Sequence, residues 1–328
     1  MIYLSEFKKA YEVLKLYVNN TDLVKLKNNI FLKKESMQKT NSFKWSGVLY
    51  SVIIEFDKIL KSNTKDDKKY KSFYLVTQST GNHGIAVIYT IIFLIEKYIE
   101  LYPEYTKLWL NIIPVIFTNK TIKSNKLNKM QEAINIYKKK FKNNGFIDSS
   151  YPNYKYSLIA RTEFLKKNNG IYLQHGGKNI MTGYGSIAFQ IDNQLPKNKS
   201  VALYTAIGAG GPLGIGLCLS KLRDTEIIIC QTENFDAFIR SLESKELKEN
   251  KENNETSISD GIAVDKPEEY AFQLGQNIIN KSIRVKTENV IELQKKYNLG
   301  GSSCIALESL NIYKSNKDYI VILDCEGN

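Results

Sequence analysis

The strongest constraint on the fold is an apolar run that ends directly in a cluster of glycines. Residues 201–207 have the length and composition of a buried strand, and Gly208-Ala209-Gly210-Gly211 follows at once. A second short apolar run, residues 73–77, leads into a loop of small polar residues and then into an apolar stretch of helical length. Strands and helices that alternate at this pitch form crossover units. The sequence therefore predicts an α/β fold with parallel sheets.

The other predicted elements continue this alternation. Apolar spacing predicts helices over residues 5–18, 44–60, 84–98, 125–141 and 156–167, and further strands over residues 30–32 and 109–117. The 328 residues are enough for one large domain or for two of ordinary size.

Composition argues against several classes of protein. The net charge of +12 invites a nucleic-acid interpretation, but the lysines are scattered and form no arginine-rich stripe, so no nucleic-acid partner is predicted. The longest apolar run, residues 84–95, is shorter than the roughly 20 residues that cross a membrane. The four cysteines lack CxxC spacing, and the first residues lack the order of a signal peptide. We therefore expect buried, reduced thiols in a cytoplasmic protein with no membrane contact.

The glycine turn, residues 208–211, has the composition of a phosphate site. Glycines let the backbone curl so that N–H groups point at an anion, and the dipole of a following helix adds to the attraction. An ordinary strand–helix turn or a nucleotide loop has the same composition, so the cluster alone leaves these alternatives open. The turn lacks GxGxxG spacing and a GK[ST] motif, which argues against Rossmann and Walker sites.

The polar loop, residues 79–83, lies between a predicted strand and a predicted helix. Its residues are Ser79, Thr80, Gly81, Asn82 and His83. The start of a helix exposes N–H groups and a positive dipole end, which attract an anion such as a carboxylate. An ordinary helix cap with Asn82 in a turn explains the same residues.

Lys44 stands in an apolar setting, between Phe43 and Trp45. Loss of solvent disfavours the charged amine and lowers its pKa, which makes a lysine nucleophilic enough to form a Schiff base at neutral pH. A lysine at a helix start whose amine reaches solvent is the structural alternative.

The segment around this lysine resembles a known signature. Residues 32–47 read LKKESMQKTNSFKWSG, similar to the LKxExxQxTGSFKxRG string of serine/threonine dehydratases and serine racemases. These belong to the fold type II, or tryptophan-synthase-beta-like, pyridoxal phosphate enzymes. The match departs at Asn41, where glycine is usual, and at Ser46, where arginine is usual.

Five further segments extend the resemblance over essentially the whole chain from residue 32 onward. Residues 79–84 are similar to S-[SAT]-G-N-H-[AG], residues 208–213 to the GGGGL loop with Ala209 replacing the second glycine, residues 183–188 to GQGTIA, residues 259–264 to ADGIAV, and residues 321–328 to VVxCGGN. Gly300 departs from the family, because a glutamate usually stands there, so an acidic residue near the cofactor is absent from that position.

The resemblance implies a fold of two open, twisted parallel-sheet domains with the cofactor in the cleft between them. Residues 1–45 and 150–328 would form the large domain, and residues 46–149 the small one.

The resemblance also implies the site. The cofactor would be pyridoxal 5'-phosphate, bound covalently by Lys44. Other cofactor contacts would come from Phe43, Asn82, Gly208, Ala209, Gly210, Gly211, Leu213 and Cys325. The polar loop would bind the carboxylate of an amino acid, and Thr80 would act as an acid/base on the second face of that bound amino acid. Cys325 would face the pyridine nitrogen, with Asp324 as an alternative through a one-residue slip.

The implied reaction is β-elimination of serine or threonine to a 2-oxo acid and ammonia. A cysteine-synthase-like β-replacement enzyme and a catalytically impaired cofactor-binding relative are alternatives. A small amino-acid substrate and a homodimer are the predicted partners. Glu233 falls near an acidic metal ligand of some relatives, but its partner positions do not align, so no metal is predicted.

Overall fold

The computed structural model describes residues 1–63, 71–250, 257–259 and 261–327. The chain divides into two compact units, Met1–Gly47 with His175–Asn328, and Val48–Gln174. The sequence placed the second boundary at residue 150, whereas the structure places it after Gln174. The reason is that the strand Gly170–Tyr172 pairs with the strand Phe73–Gln78 and so belongs to the second unit.

In the part of the chain that the structure describes, the first unit contains a six-stranded sheet in the order β1-β2-β10-β7-β8-β9. The β1–β2 pair is antiparallel and every other pair is parallel. The strands are β1 (Leu23–Lys27), β2 (Ile30–Lys33), β7 (Val201–Ala206), β8 (Thr225–Thr232), β9 (Lys281–Val285) and β10 (Tyr319–Leu323). The helices of this unit are α1 (Leu4–Leu14), α7 (Lys178–Gln194), α8 (Leu213–Ser220), α9 (Ala237–Ser244), α10 (Glu269–Ile278), α11 (Thr287–Tyr297) and α12 (Gly301–Ile312).

The described residues of the second unit contain a four-stranded parallel sheet in the order β5-β4-β3-β6. Its strands are β3 (Phe73–Gln78), β4 (Ile112–Asn119), β5 (Phe146–Tyr151) and β6 (Gly170–Tyr172). Its helices are α3 (Asn82–Leu101), α4 (Thr106–Trp109), α5 (Ser124–Phe141) and α6 (Tyr154–Lys167), while α2 (Lys44–Asn63) begins in the first unit and continues into the second.

Each unit has its own hydrophobic core. In the first unit, alternate residues of the central strands pack with α12, as Tyr204, Ile228 and Ile305 illustrate. In the second unit, Val76 and Val115 lie in a smaller core on the β3–β4 pair. Strands buried on both faces explain the unbroken apolar runs of the sequence.

One predicted strand starts later than expected. Residues 109–117 were expected to be extended, but Trp109 ends α4 and the strand begins at Ile112. The Trp109 ring is buried and stacks on Phe56, with ring centroids 5.5 Å apart. Packing of a large aromatic side chain thus extends the helix beyond what local pattern indicates.

The apolar run over residues 84–95 lies within α3 and is almost entirely buried. Among the residues that the structure describes, none of the helices combines the length and apolar character that crossing a bilayer takes.

Candidate active site

Parallel pairing places three loops at one edge of the first unit's sheet. Strands β2, β10 and β7 are neighbours and run in the same direction, so their carboxyl ends meet at the same edge. The Lys44 segment (residues 41–44) follows β2, the glycine turn follows β7, and Cys325 follows β10. Topology therefore brings together three segments that lie far apart in the sequence.

The Lys44 segment is fixed to the end of β10 by backbone hydrogen bonds. Ser42 forms an isolated antiparallel bridge with Glu326. The Phe43 N–H donates to the Cys325 carbonyl at 3.0 Å, and the Gly327 N–H donates to the Asn41 carbonyl at 3.1 Å. Asn41 has a φ of 53°, a left-handed conformation that asparagine tolerates better than most residues. This explains how asparagine stands where glycine is usual.

The environment of Lys44 disfavours its charged form. Lys44 is half-buried, and its Nζ lies 4.5 Å from the Phe43 ring centroid and 6.0 Å from that of Tyr184. Burial lowers the pKa of the Lys44 amine from 10.5 to about 8, against the opposing effect of Cys325 and Glu326. A substantial neutral fraction of the amine is therefore available near pH 8.

Tyr184 connects Lys44 to the glycine turn. A Cβ at Gly47 would collide with the Tyr184 ring, and a Cβ at Gly211 would lie 2.9 Å from its Cε2. The Tyr184 hydroxyl is buried and has no hydrogen-bond partner among the described residues. The sequence did not single out this residue, although it stands where the GQGTIA string has glutamine. That string lies inside α7 rather than before a helix.

The glycine turn forms a tight cradle. Gly210 has a φ of +115°, and a Cβ there would collide with the Cβ of Ala271, while a Cβ at Gly208 would collide with the Gly261 carbonyl. Ala209 does not have a positive φ, so its replacement of a glycine causes no strain. Within the described residues, the N–H groups of positions 208–211 donate no hydrogen bond, and Leu213 begins α8 directly afterwards.

Cys325 and Asp324 have different environments. The Asp324 carboxylate accepts hydrogen bonds from Ser36 at 2.6 Å and Ser303 at 2.8 Å, and pairs with Lys34 at 2.7 Å. The Cys325 thiol is buried, interacts electrostatically with Lys44, and its pKa is raised well above its usual value by burial. A neutral thiol thus accompanies the lysine, while the aspartate is held by other groups.

Several residues that match the family string around Lys44 stabilise the loop and do not belong to the site. Lys33 and Glu35 are fully buried and form an ion pair with a 3.6 Å separation. Lys33 also donates to Gln190 at 2.7 Å, and Gln38 donates to Glu35 at 3.2 Å. This buried network shapes the segment that leads to Lys44, so these matches are structural.

The polar loop lies in the second unit, after β3. The Ser79 hydroxyl accepts hydrogen bonds from the N–H groups of Gly81 at 3.1 Å and Gly84 at 2.9 Å, so it caps α3. His83 is buried, with its Nε2 3.3 Å from the Leu173 carbonyl. Thr80 is half-buried. Ser79 and His83 therefore hold the shape of the loop.

Asn82 is half-buried and has a cationic neighbour that the sequence did not indicate. Its Oδ1 accepts a hydrogen bond from Lys126 Nζ at 2.6 Å. Lys126 comes from the first turn of α5, at a distance along the chain that no local pattern reveals. The ammonium group adds positive charge to a loop that already has a helix N-terminus.

Comparison with known proteins identifies the family. The profile described as pyridoxal-phosphate dependent enzyme matches residues 115–323, and the chain belongs to this family. The inferred membership of the pyridoxal phosphate enzymes is thereby confirmed, as is the cofactor, pyridoxal phosphate.

Two curated relatives are both 24% identical to this chain. The L-threonine ammonia-lyase of Thermotoga maritima matches over 89% of this chain, which spans 65% of that protein's length. The biosynthetic L-threonine dehydratase of Lactococcus lactis matches over 100% of this chain and 75% of its own length.

The structure of maize serine racemase superposes with a TM-score of 0.74 at 17% identity, covering 99% of this chain and 93% of that one. The predicted fold type II architecture is confirmed.

The residues of the first unit fit pyridoxal phosphate. The amine of Lys44 has a lowered pKa, the glycine turn leaves no room for side chains, and its N–H groups are available to a phosphate. Within the described ranges, no three His, Cys, Asp or Glu side chains come together as metal ligands would.

Proposed function

We propose that this enzyme is a serine/threonine dehydratase-type ammonia-lyase, which eliminates the β-hydroxyl of a small hydroxy amino acid and releases a 2-oxo acid and ammonia. The observation that carries the proposal is the half-buried Lys44 amine, with its lowered pKa, fixed beside the neutral Cys325 thiol. The relatives named for threonine ammonia-lyase and threonine dehydratase support the same reaction.

Pyridoxal phosphate, when bound, supplies an electron-withdrawing ring that makes the Cα–H of an attached amino acid acidic. Lys44 would hold the group through Nζ, and the same Nζ, once free, would accept the α proton. Since its pKa is about 8, this amine is a competent base close to neutral pH.

The other residues of the first unit would bind and orient the cofactor. Gly208, Ala209, Gly210, Gly211 and Leu213 would hold its phosphate with N–H groups and the start of α8. Phe43 would shield the Lys44 amine from water, since its ring lies 4.5 Å from Nζ. Cys325 would face the ring nitrogen as a neutral thiol, because Asp324 is held by Lys34, Ser36 and Ser303.

The polar loop would bind the substrate carboxylate. Gly81 and Asn82 at the start of α3, with the Lys126 ammonium, supply positive potential. Ser79 and His83 would act by holding the loop in shape. The Thr80 hydroxyl would transfer a proton on the second face of the bound amino acid.

The proposed setting is a cytoplasmic homodimer. The four cysteines are free and buried, which supports a reducing compartment. The dimer is tested by the mass of the particle in sedimentation equilibrium, where a monomer would contradict it.

Release of ammonia and of a 2-oxo acid from L-serine and L-threonine tests the reaction directly. We expect turnover by the cofactor-loaded protein and none by Lys44→Ala. Lys39→Ala is the matched control, because this exposed lysine lies in the same segment, and it should retain turnover. Exchange of the β-substituent with an added thiol, without ammonia release, would indicate the replacement reaction instead.

A further inference from the structure

Glu326 has a carboxylate held by two buried serines. Its Oε1 lies 3.3 Å from the hydroxyl oxygens of both Ser259 and Ser302, which are 2.5 Å from each other, so one hydroxyl donates to the other and that second hydroxyl donates to the carboxylate. Ser259 and Ser302 are both almost fully buried. This pair of hydroxyls restricts the position of the carboxylate.

The backbone of Glu326 is fixed relative to Lys44. The bridge between Glu326 and Ser42, with the flanking hydrogen bonds at Phe43 and Gly327, places this residue beside the segment that begins α2. The carboxylate interacts electrostatically with Lys44, whose charged form it favours, and with Cys325. The charge of Glu326 therefore acts on the reactive amine.

Gly300 leaves the space that the Glu326 side chain occupies. A Cβ at position 300 would lie 2.6 Å from the Glu326 carbonyl oxygen and 2.9 Å from its Cγ. A side chain at position 300 and the glutamate in its present place are thus mutually exclusive.

We propose that Glu326 is a positioning residue for Lys44: its carboxylate, fixed by Ser259 and Ser302 in the space that Gly300 leaves open, sets the protonation of the amine that binds the cofactor. This proposal rests on the proposed role of Lys44. Only the neutral amine has the lone pair that would bond to the cofactor aldehyde: a carbon–nitrogen double bond would replace the aldehyde C=O bond, and the two amine protons would leave with the oxygen as one water.

Two other titratable groups near the amine carry no charge in this pH range and so do not affect its protonation. Tyr184 and Cys325 face Lys44, but burial raises the pKa of both well above their usual values, so both stay neutral at pH 7–9. Of these three groups, Glu326 supplies the negative charge that acts on the amine.

The test is the pH dependence of the rate at which Lys44 bonds to pyridoxal phosphate, trapped with borohydride and quantified by mass spectrometry. For the wild-type protein we expect a midpoint near pH 8. Glu326→Gln removes a negative charge that favours the charged form of Lys44, so it should lower the midpoint by about one unit and accelerate the reaction roughly fivefold at pH 7.

Glu308→Gln is the matched control. This carboxylate is buried, lies on α12 like Ser302, and accepts hydrogen bonds from Asn289 and Asn311 instead. Its substitution should leave the midpoint unchanged. Circular dichroism shows whether each variant folds. Where Glu326→Gln does not fold, the midpoint of Glu326→Ala tests the proposal.

The outcomes separate this inference from the proposed function. Absence of any adduct on Lys44 in the wild-type protein would refute the proposed role of the lysine. An adduct that forms on Lys44 with the same midpoint in wild type and Glu326→Gln would refute the role of Glu326 alone. A lowered midpoint confined to the Glu326 variants would support it.

Discussion

Replacement of Lys44 by methionine should stabilise the cofactor-free protein at neutral pH. The substitution keeps an unbranched side chain of similar length and removes the amine. Because burial lowers the pKa of Lys44 from 10.5 to about 8, holding this amine in its charged form in the folded state costs about 3 kcal/mol at pH 7. Lys44→Met should therefore raise the free energy of unfolding by about 3 kcal/mol at pH 7.

The sign of the pH dependence follows from the same shift. Between pH 8 and 10.5 the folded protein loses the proton before the unfolded chain does, so the wild type gains stability as pH rises. The advantage of the variant should thus shrink to about 1 kcal/mol at pH 9.5. Urea unfolding of both proteins at the two pH values measures the difference. A variant that is less stable than wild type at pH 7, or a difference independent of pH, would show that the charge of Lys44 does not destabilise the folded protein.

Two further predictions concern cofactor and substrate binding. Gly210→Ala should weaken pyridoxal phosphate binding at least tenfold in an absorbance titration, because the left-handed φ of +115° disfavours alanine and its methyl would collide with Ala271, whereas Ala209→Gly should bind as wild type. Lys126→Met should raise KM for L-serine by roughly tenfold with little change in kcat, since a charge-assisted contact to a carboxylate contributes about 1.5 kcal/mol. A KM equal to that of wild type would remove Lys126 from the substrate site.

Much of the fold could be predicted because local pattern and burial agree. The strand over residues 201–207 and the helices over 84–98 and 125–141 are each close to the observed element. The departures occur where tertiary packing prevails. Trp109 joins a helix because its ring stacks on Phe56, and the domain boundary lies after Gln174 because a three-residue strand pairs with β3.

The candidate site was predictable only in part. Lys44 and the glycine turn follow from apolar context and strand–turn order, which are local properties. Tyr184, Lys126 and Glu326 are brought to their places by helix packing and parallel strand pairing, so no local spacing reveals them.

Matches to a family string also do not distinguish chemistry from scaffolding. Lys33 and Glu35 belong to the same string as Lys44, yet both are fully buried in an ion pair. Asn41 and Ala209 stand where glycine is usual. The structure explains each of them by its backbone conformation, left-handed at Asn41 and not positive in φ at Ala209.

The central claim is that one amine in this chain holds the cofactor aldehyde. Incubation of the protein with pyridoxal phosphate, reduction with borohydride and peptide mapping by mass spectrometry locates that amine directly. We expect a single stoichiometric adduct on the peptide that contains Lys44. An adduct on a different lysine, or no adduct on folded protein, would contradict it.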